Sequence, residues 1–114
     1  MLTIDKLRQY GAKVDVGLAR CMDSEAMYDR LIGMALEDTA FSRLEERLAA
    51  GDLDAAFSAA HSLKGSMGNL ALEPIYAPVS ELTELLQNKT PGDYAGLLER
   101  IKAQRAALLA LMEE

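Results

Sequence analysis

The chain has 114 residues, half of them apolar and a quarter charged, with 18 acidic against 12 basic side chains and a formal charge of −6. That length and composition fit one globular domain with a core of its own. The acidic balance argues against nucleic-acid backbones and anionic membrane surfaces as partners, and the single cysteine, Cys21, rules out an internal disulfide and suits a reducing compartment.

Asp5 and Lys6 interrupt the N-terminus before any apolar run develops, so no secretion signal is read there. No apolar stretch approaches the ~18 residues that cross a bilayer; the expected location is the cytoplasm. Alanine, leucine, glutamate and methionine outnumber β-branched residues, which favours helices. Thr3 is placed to cap a short helix through Tyr10, closed by Gly11, and Asp15 to cap a second short piece through Met22. Cys21, beside Arg20 in "LARCMD", reads as a packed side chain rather than a reactive thiol. Ser24 opens "SEAMYDRLIGMALED", in which Met27, Leu31, Met34 and Ala35 share one face and are assigned to the core. "FSRLEERLAAGD" follows with Phe41, Leu44 and Leu48 on a stripe and Gly51 at its end. Asp52 caps the next helix, which runs to about Asn69 or Leu70. Pro74 suits the first turn of another, in which Pro78 is expected to introduce a kink or a late start. "TPGD" is a turn, and the last helix, "YAGLLERIKAQRAALLALMEE", turns Leu97, Ile101, Leu108 and Met112 inward. Met22, Met27, Met34, Met67 and Met112 read as core filler. No segment alternates with the two-residue period of a strand. The expected fold is all-α: an antiparallel four-helix bundle over about 24–112, with one or two short N-terminal helices over about 1–22 packed on it.

The helix after Asp52 carries "AAHSLKGSMGNL", with the only histidine of the chain, His61, and two glycines, Gly65 and Gly68. Each glycine costs a helix interior roughly 1 kcal/mol against alanine. At about 100° per residue, Ala56, Ala60, Leu63, Met67 and Leu70 form the core stripe, while Asp54, Phe57, His61, Lys64, Gly65 and Gly68 form another about a third of a turn away. The imidazole thus stands off the core over bare backbone, beside the ammonium of Lys64. Because the packing stripe lies elsewhere, both glycines read as cleared space for a second surface. Neutral imidazole is a competent covalent nucleophile, and an adjacent ammonium offsets phosphoryl charge. An ordinary surface histidine is the plain alternative. With no second histidine and one thiol, a metal site has no ligand set. No nucleophile–histidine–acid arrangement is legible, nor any glycine-rich nucleotide loop, so kinase activity toward ATP is not expected.

"HSLKGSMGNL" resembles the signature of histidine-containing phosphotransfer (HPt) domains, H-x-L-K-G-[small]-x-x-x-[apolar], matched by His61, Leu63, Lys64, Gly65, Ser66 and Leu70. "AGDLDAAFSAA" before it and "SELTELLQ" after it are similar to the flanking segments of that family, and the likeness covers roughly residues 24–112. The resemblance implies a stand-alone phosphorelay carrier in two-component signalling, a monomer. It implies phosphorylation of His61 at the ring nitrogen farther from the backbone, charge support from Lys64, and a partner-access surface of Phe57, Gly65, Ser66 and Gly68. The implied partners are receiver domains of response regulators or hybrid histidine kinases. They would supply the aspartate and magnesium, with no cofactor in this chain. A degenerate HPt-like adaptor that binds without transfer is the alternative. A glycine common just after the motif is Ala71 here, which predicts a different helix end. An acidic position of the next helix is Thr83, flanked by Glu81 and Glu84.

Overall fold

The computed structural model describes residues 2–114. Seven helices follow one another: α1 (Ile4–Tyr10), α2 (Val14–Arg20), α3 (Glu25–Leu36), α4 (Ala40–Ala49), α5 (Leu53–Asn69), α6 (Glu73–Gln87) and α7 (Tyr94–Glu113). Among the described residues there is no strand, and no helix is long and apolar enough to cross a membrane.

Local side chains start several of these helices. Thr3, Ser24, Asp52 and Asp93 each accept a hydrogen bond from the backbone N–H three residues on, satisfying donors that have no partner inside the helix. Gly11 closes α1 in the left-handed region at φ 110. The second helix departs from expectation. Its N-cap is Lys13, not Asp15, and it stops at Arg20. The Asp15 carboxylate is instead 3.2 Å from Arg8, and Met22 and Asp23 both turn left-handed at φ 57. Pro78 lies inside α6 without ending it or delaying its start. The carbonyl its missing N–H leaves over belongs to Pro74, in the first turn.

The helices after residue 24 form four rods rather than five. Along α7, Met112 lies beside Gly33, the Arg105 guanidinium donates to the Leu36 carbonyl and stacks over Phe41, and Lys102 binds Glu45 at 2.6 Å. As the α7 number falls, the partner number rises, so α3 and α4 run end to end as one interrupted rod antiparallel to α7. Arg105 occupies the carbonyl that the break would orphan. Lys89 reaches Asp54, and Arg100 reaches Glu81, so α6 is antiparallel to both α5 and α7. α5 packs between α4 and α6, and α7 against α6, which sets α5 and α7 on opposite corners of a body about 40 Å long.

Leu44, Ala56, Ala60, Leu63, Met67, Ile75, Val79, Leu82, Ile101 and Leu108 fill its centre. On α3 the expectation is overturned. Tyr28, Ile32 and Leu36 face the core, while Met27 and Met34 are 40 % and 60 % exposed and Met22 is 82 % exposed. This helix carries two apolar stripes, and the inner one includes a phenol that reads as polar in sequence. Tyr28 is buried by giving its Oη–H to the Leu70 carbonyl at 2.6 Å, so its hydroxyl is not left unpaired. Burial, with the nearby Cys21 thiol, pushes the Tyr28 phenol up to about 12. Only Met67, and Met112 in part, fill the core as expected.

Candidate functional site

The second rod of the bundle is α5, and its exposed face carries the histidine. The core stripe read from the period holds: Ala56, Ala60, Leu63, Met67 and Leu70 are buried, and His61 is exposed. Phe57, one turn earlier, stacks on the imidazole with ring centroids 5.6 Å apart and planes 25° from parallel. The aromatic backs one side of the ring while its edge stays in solvent. Lys64, one turn later, is half-buried and has no ion-pair partner among the described residues.

The two glycines differ. A Cβ built at Gly65 meets nothing within 4 Å, whereas one at Gly68 would sit 2.8 Å from Cε1 and 3.1 Å from Cδ1 of Tyr76. Gly65 therefore leaves a bare stretch of helix beside the imidazole. Gly68 lets the Tyr76 ring of α6 lie against α5, so close helix packing, which the stripe argument set aside, is its structural role. Ser66 donates its hydroxyl back to the Ser62 carbonyl at 3.2 Å.

His61, Lys64, Gly65 and Gly68 form one wall of an open groove of ≈ 860 Å³, and Lys13, Val16 and Arg20 help form the other. Sequence reading passed over this second wall. Arg20 donates to the Gly68 and Asn69 carbonyls at 2.6 and 3.1 Å, the Lys13 N–H to the Ala71 carbonyl at 2.9 Å, and Tyr28 to that of Leu70. The last turn of α5 would otherwise expose these acceptors, so α2 and α3 hold the site helix by its C-terminus. Val16 is left 42 % exposed in the groove. Gly17 permits the approach, because a Cβ there would overlap the Tyr28 ring, with Cε1 2.7 Å away. Each donor lies more than forty residues from the carbonyl it holds, and no local signal in the sequence marks it.

Ala71 adopts φ 57, with its N–H on the Gly68 carbonyl and the Leu72 N–H on that of Met67. That is the left-handed helix ending for which glycine is favoured, so the departure at this position costs strain and does not reroute the chain. Thr83 is buried and donates to the Val79 carbonyl, leaving Glu81 and Glu84 as the exposed acids of that turn.

No curated protein and no solved structure matches the chain. A family model does: the Hpt domain, over residues 27–113. The match runs from α3 to the end of α7, taking in all four rods and the exposed histidine on the second, and the chain belongs to the Hpt domain family.

Proposed function

We propose that the protein is a phosphorelay carrier in which His61 accepts a phosphoryl group and exchanges it with an aspartate of a receiver domain, in the cytoplasm. The observation that carries this reading is the exposed imidazole beside the open backbone of Gly65, with the unpaired ammonium of Lys64 one turn on. The Nε2 lone pair attacks the phosphorus of an aspartyl phosphate. The N–P bond forms as the P–O bond to the carboxylate breaks, and the aspartate leaves as its anion. Nδ1 keeps its hydrogen throughout, so no proton has to be removed, and the reverse step uses the same atoms. Phe57 limits the tilt of the ring, and Lys64 offsets charge on the phosphoryl oxygens. Magnesium, a hard cation that takes carboxylate and phosphate oxygens, belongs to the receiver. The open face at Gly65 admits that partner.

The test mixes the protein with a phosphorylated receiver and looks for acid-labile, alkali-stable phosphate on it. Wild type acquires the label, and His61→Gln acquires none while keeping its far-UV helicity and melting temperature, because the ring lies off the core. A His61→Gln variant that unfolds makes the histidine structural. A wild-type protein that binds receivers and never takes phosphate is an adaptor instead.

A further inference from the structure

Most lysines and arginines of this acidic chain are committed within it. They face carboxylates or, as Arg20 and Arg105 do, helix-end carbonyls. Among the described residues, Arg30, Arg43, Arg47 and Lys64 have neither. Of these four, Lys64 is on α5, and Arg43 and Arg47 border it. Arg43 and Arg47, one turn apart on α4, border a cleft of ≈ 250 Å³ with Ala55, Ser58 and Ala59 of α5. The opposite edge of α4 is treated differently: Glu45 there is neutralised by Lys102 of α7. Arg47 lies in the last turn of α4, where a cation is favourable, but like charges one turn apart repel, so helix stability alone does not account for the pair.

The cleft lies beside the site. Ser58 precedes His61 by three residues, about 4.5 Å along the helix axis, and packed helices stand about 8–10 Å apart. A standard interface covers about 800 Å² on each partner, a disc about 16 Å in radius. A partner centred on His61 therefore overlies both arginines. That partner presents an aspartate together with the carboxylates of a magnesium site, so the surface it turns toward the histidine is acidic.

We propose that Arg43 and Arg47 form a second docking point, a guanidinium pair that binds carboxylates on the rim of the receiver where it overlies α4. The proposal rests on the phosphorelay reading above. Guanidinium forks match carboxylates bidentately, and exposed charges at an interface rim act chiefly on the rate of encounter and its salt dependence. The pair governs which receivers are captured and how fast, and it leaves the phosphoryl-transfer step to His61 and Lys64.

The test takes the receiver domains encoded in the same genome, phosphorylates each with acetyl phosphate, and keeps the one that labels wild-type protein fastest. Transfer is then followed for wild type, for Arg43→Gln/Arg47→Gln, and for Arg100→Gln/Lys102→Gln, which removes the same charge from the corner of the bundle opposite α5. At ~10 mM salt the cleft variant loses about tenfold in the second-order rate constant. At ~0.5 M salt, where charges are screened beyond a few ångströms, the loss shrinks severalfold. The first-order rate at saturating receiver is unchanged, and the α7 variant stays within about twofold of wild type. A cleft variant with the wild-type second-order rate and salt dependence overturns the proposal, as does an equal loss in the α7 variant, which would make the effect one of net charge. If no receiver labels wild-type His61, the phosphorelay reading fails first and this proposal with it.

Discussion

Gly65 and Gly68 lie three residues apart on one helix, and alanine at each should move stability in opposite directions. Alanine is the better helix former by about 0.8–1.0 kcal/mol in a helix interior. At Gly65 the new methyl meets nothing within 4 Å, so that gain is realised. With an unfolding entropy near 2.1 cal/mol/K per residue over 114 residues, 1 kcal/mol corresponds to about 4 °C in melting temperature. At Gly68 the propensity gain is smaller, because only Asn69 follows it in the helix. The methyl must also displace the Tyr76 ring from 2.8 Å, an overpacking that costs about 1–3 kcal/mol. Gly65→Ala should therefore melt about 3–4 °C above wild type and Gly68→Ala below it, read by circular dichroism and by urea midpoints at unchanged m-value. Gly65→Leu should also keep or raise stability. Its branched side chain fills the open space, so receiver docking weakens and transfer slows, by about tenfold for each ~1.4 kcal/mol of lost contact. A Gly65→Ala that loses stability would mean the space beside the imidazole is already occupied, and a Gly65→Leu that transfers at the wild-type rate would remove the access role. Equal effects of alanine at the two positions would refute the separate reasons assigned to them.

Lys64→Ala should slow the transfer step more than it weakens binding of the unphosphorylated receiver, because the ammonium meets phosphoryl oxygens only in the dehydrated complex. Single-turnover kinetics separate the two, and a change confined to the dissociation constant would make Lys64 a docking residue. Gly17→Ala should destabilise by about 1–3 kcal/mol, since the methyl overlaps the Tyr28 ring. An unchanged urea midpoint would show that α2 does not pack on that ring as described. Tyr28 should make the fold fail in alkali. Its phenol is raised from 10 to about 12 by burial, so its contribution is intact below pH 10 and is lost as pH climbs toward 12. Tyr28→Phe should cost about 1–3 kcal/mol at neutral pH by orphaning the buried Leu70 carbonyl and should flatten that alkaline decline, measured as urea midpoint against pH.

What the sequence disclosed follows the range of the forces involved. Caps such as Thr3, Ser24 and Asp52 act over three residues, and the buried stripe of α5 repeats over 17 residues, so both could be read locally. His61 could be placed on the outside by the same period. The face of α3 could not, because its two apolar stripes compete, and the inner one wins through a hydrogen bond from Tyr28 to a residue 42 positions away. Nor could the two glycines be told apart, since the difference is the presence or absence of Tyr76 across a helix interface. Arg20 and Lys13 carry no local mark of their role, as the carbonyls they hold lie beyond α4 and most of α5. Asp15 misled because any acidic residue near a helix start looks like a cap, and Arg8 competes for it.

The bonds from α2 to the end of α5 bear on how this protein can be cut and joined. A fragment trimmed to the residues that match the family, 27–113, would discard Lys13 and Arg20 along with the buried side chains of Leu7, Val14 and Cys21. It would hand the Gly68, Asn69 and Ala71 carbonyls to water and lay open the flank of Tyr28. The last turn of the histidine helix would then fray, and one wall of the groove would be gone. A chimera meant to carry this site into another protein must be joined ahead of Leu2, for the transplantable piece is longer than the recognisable one.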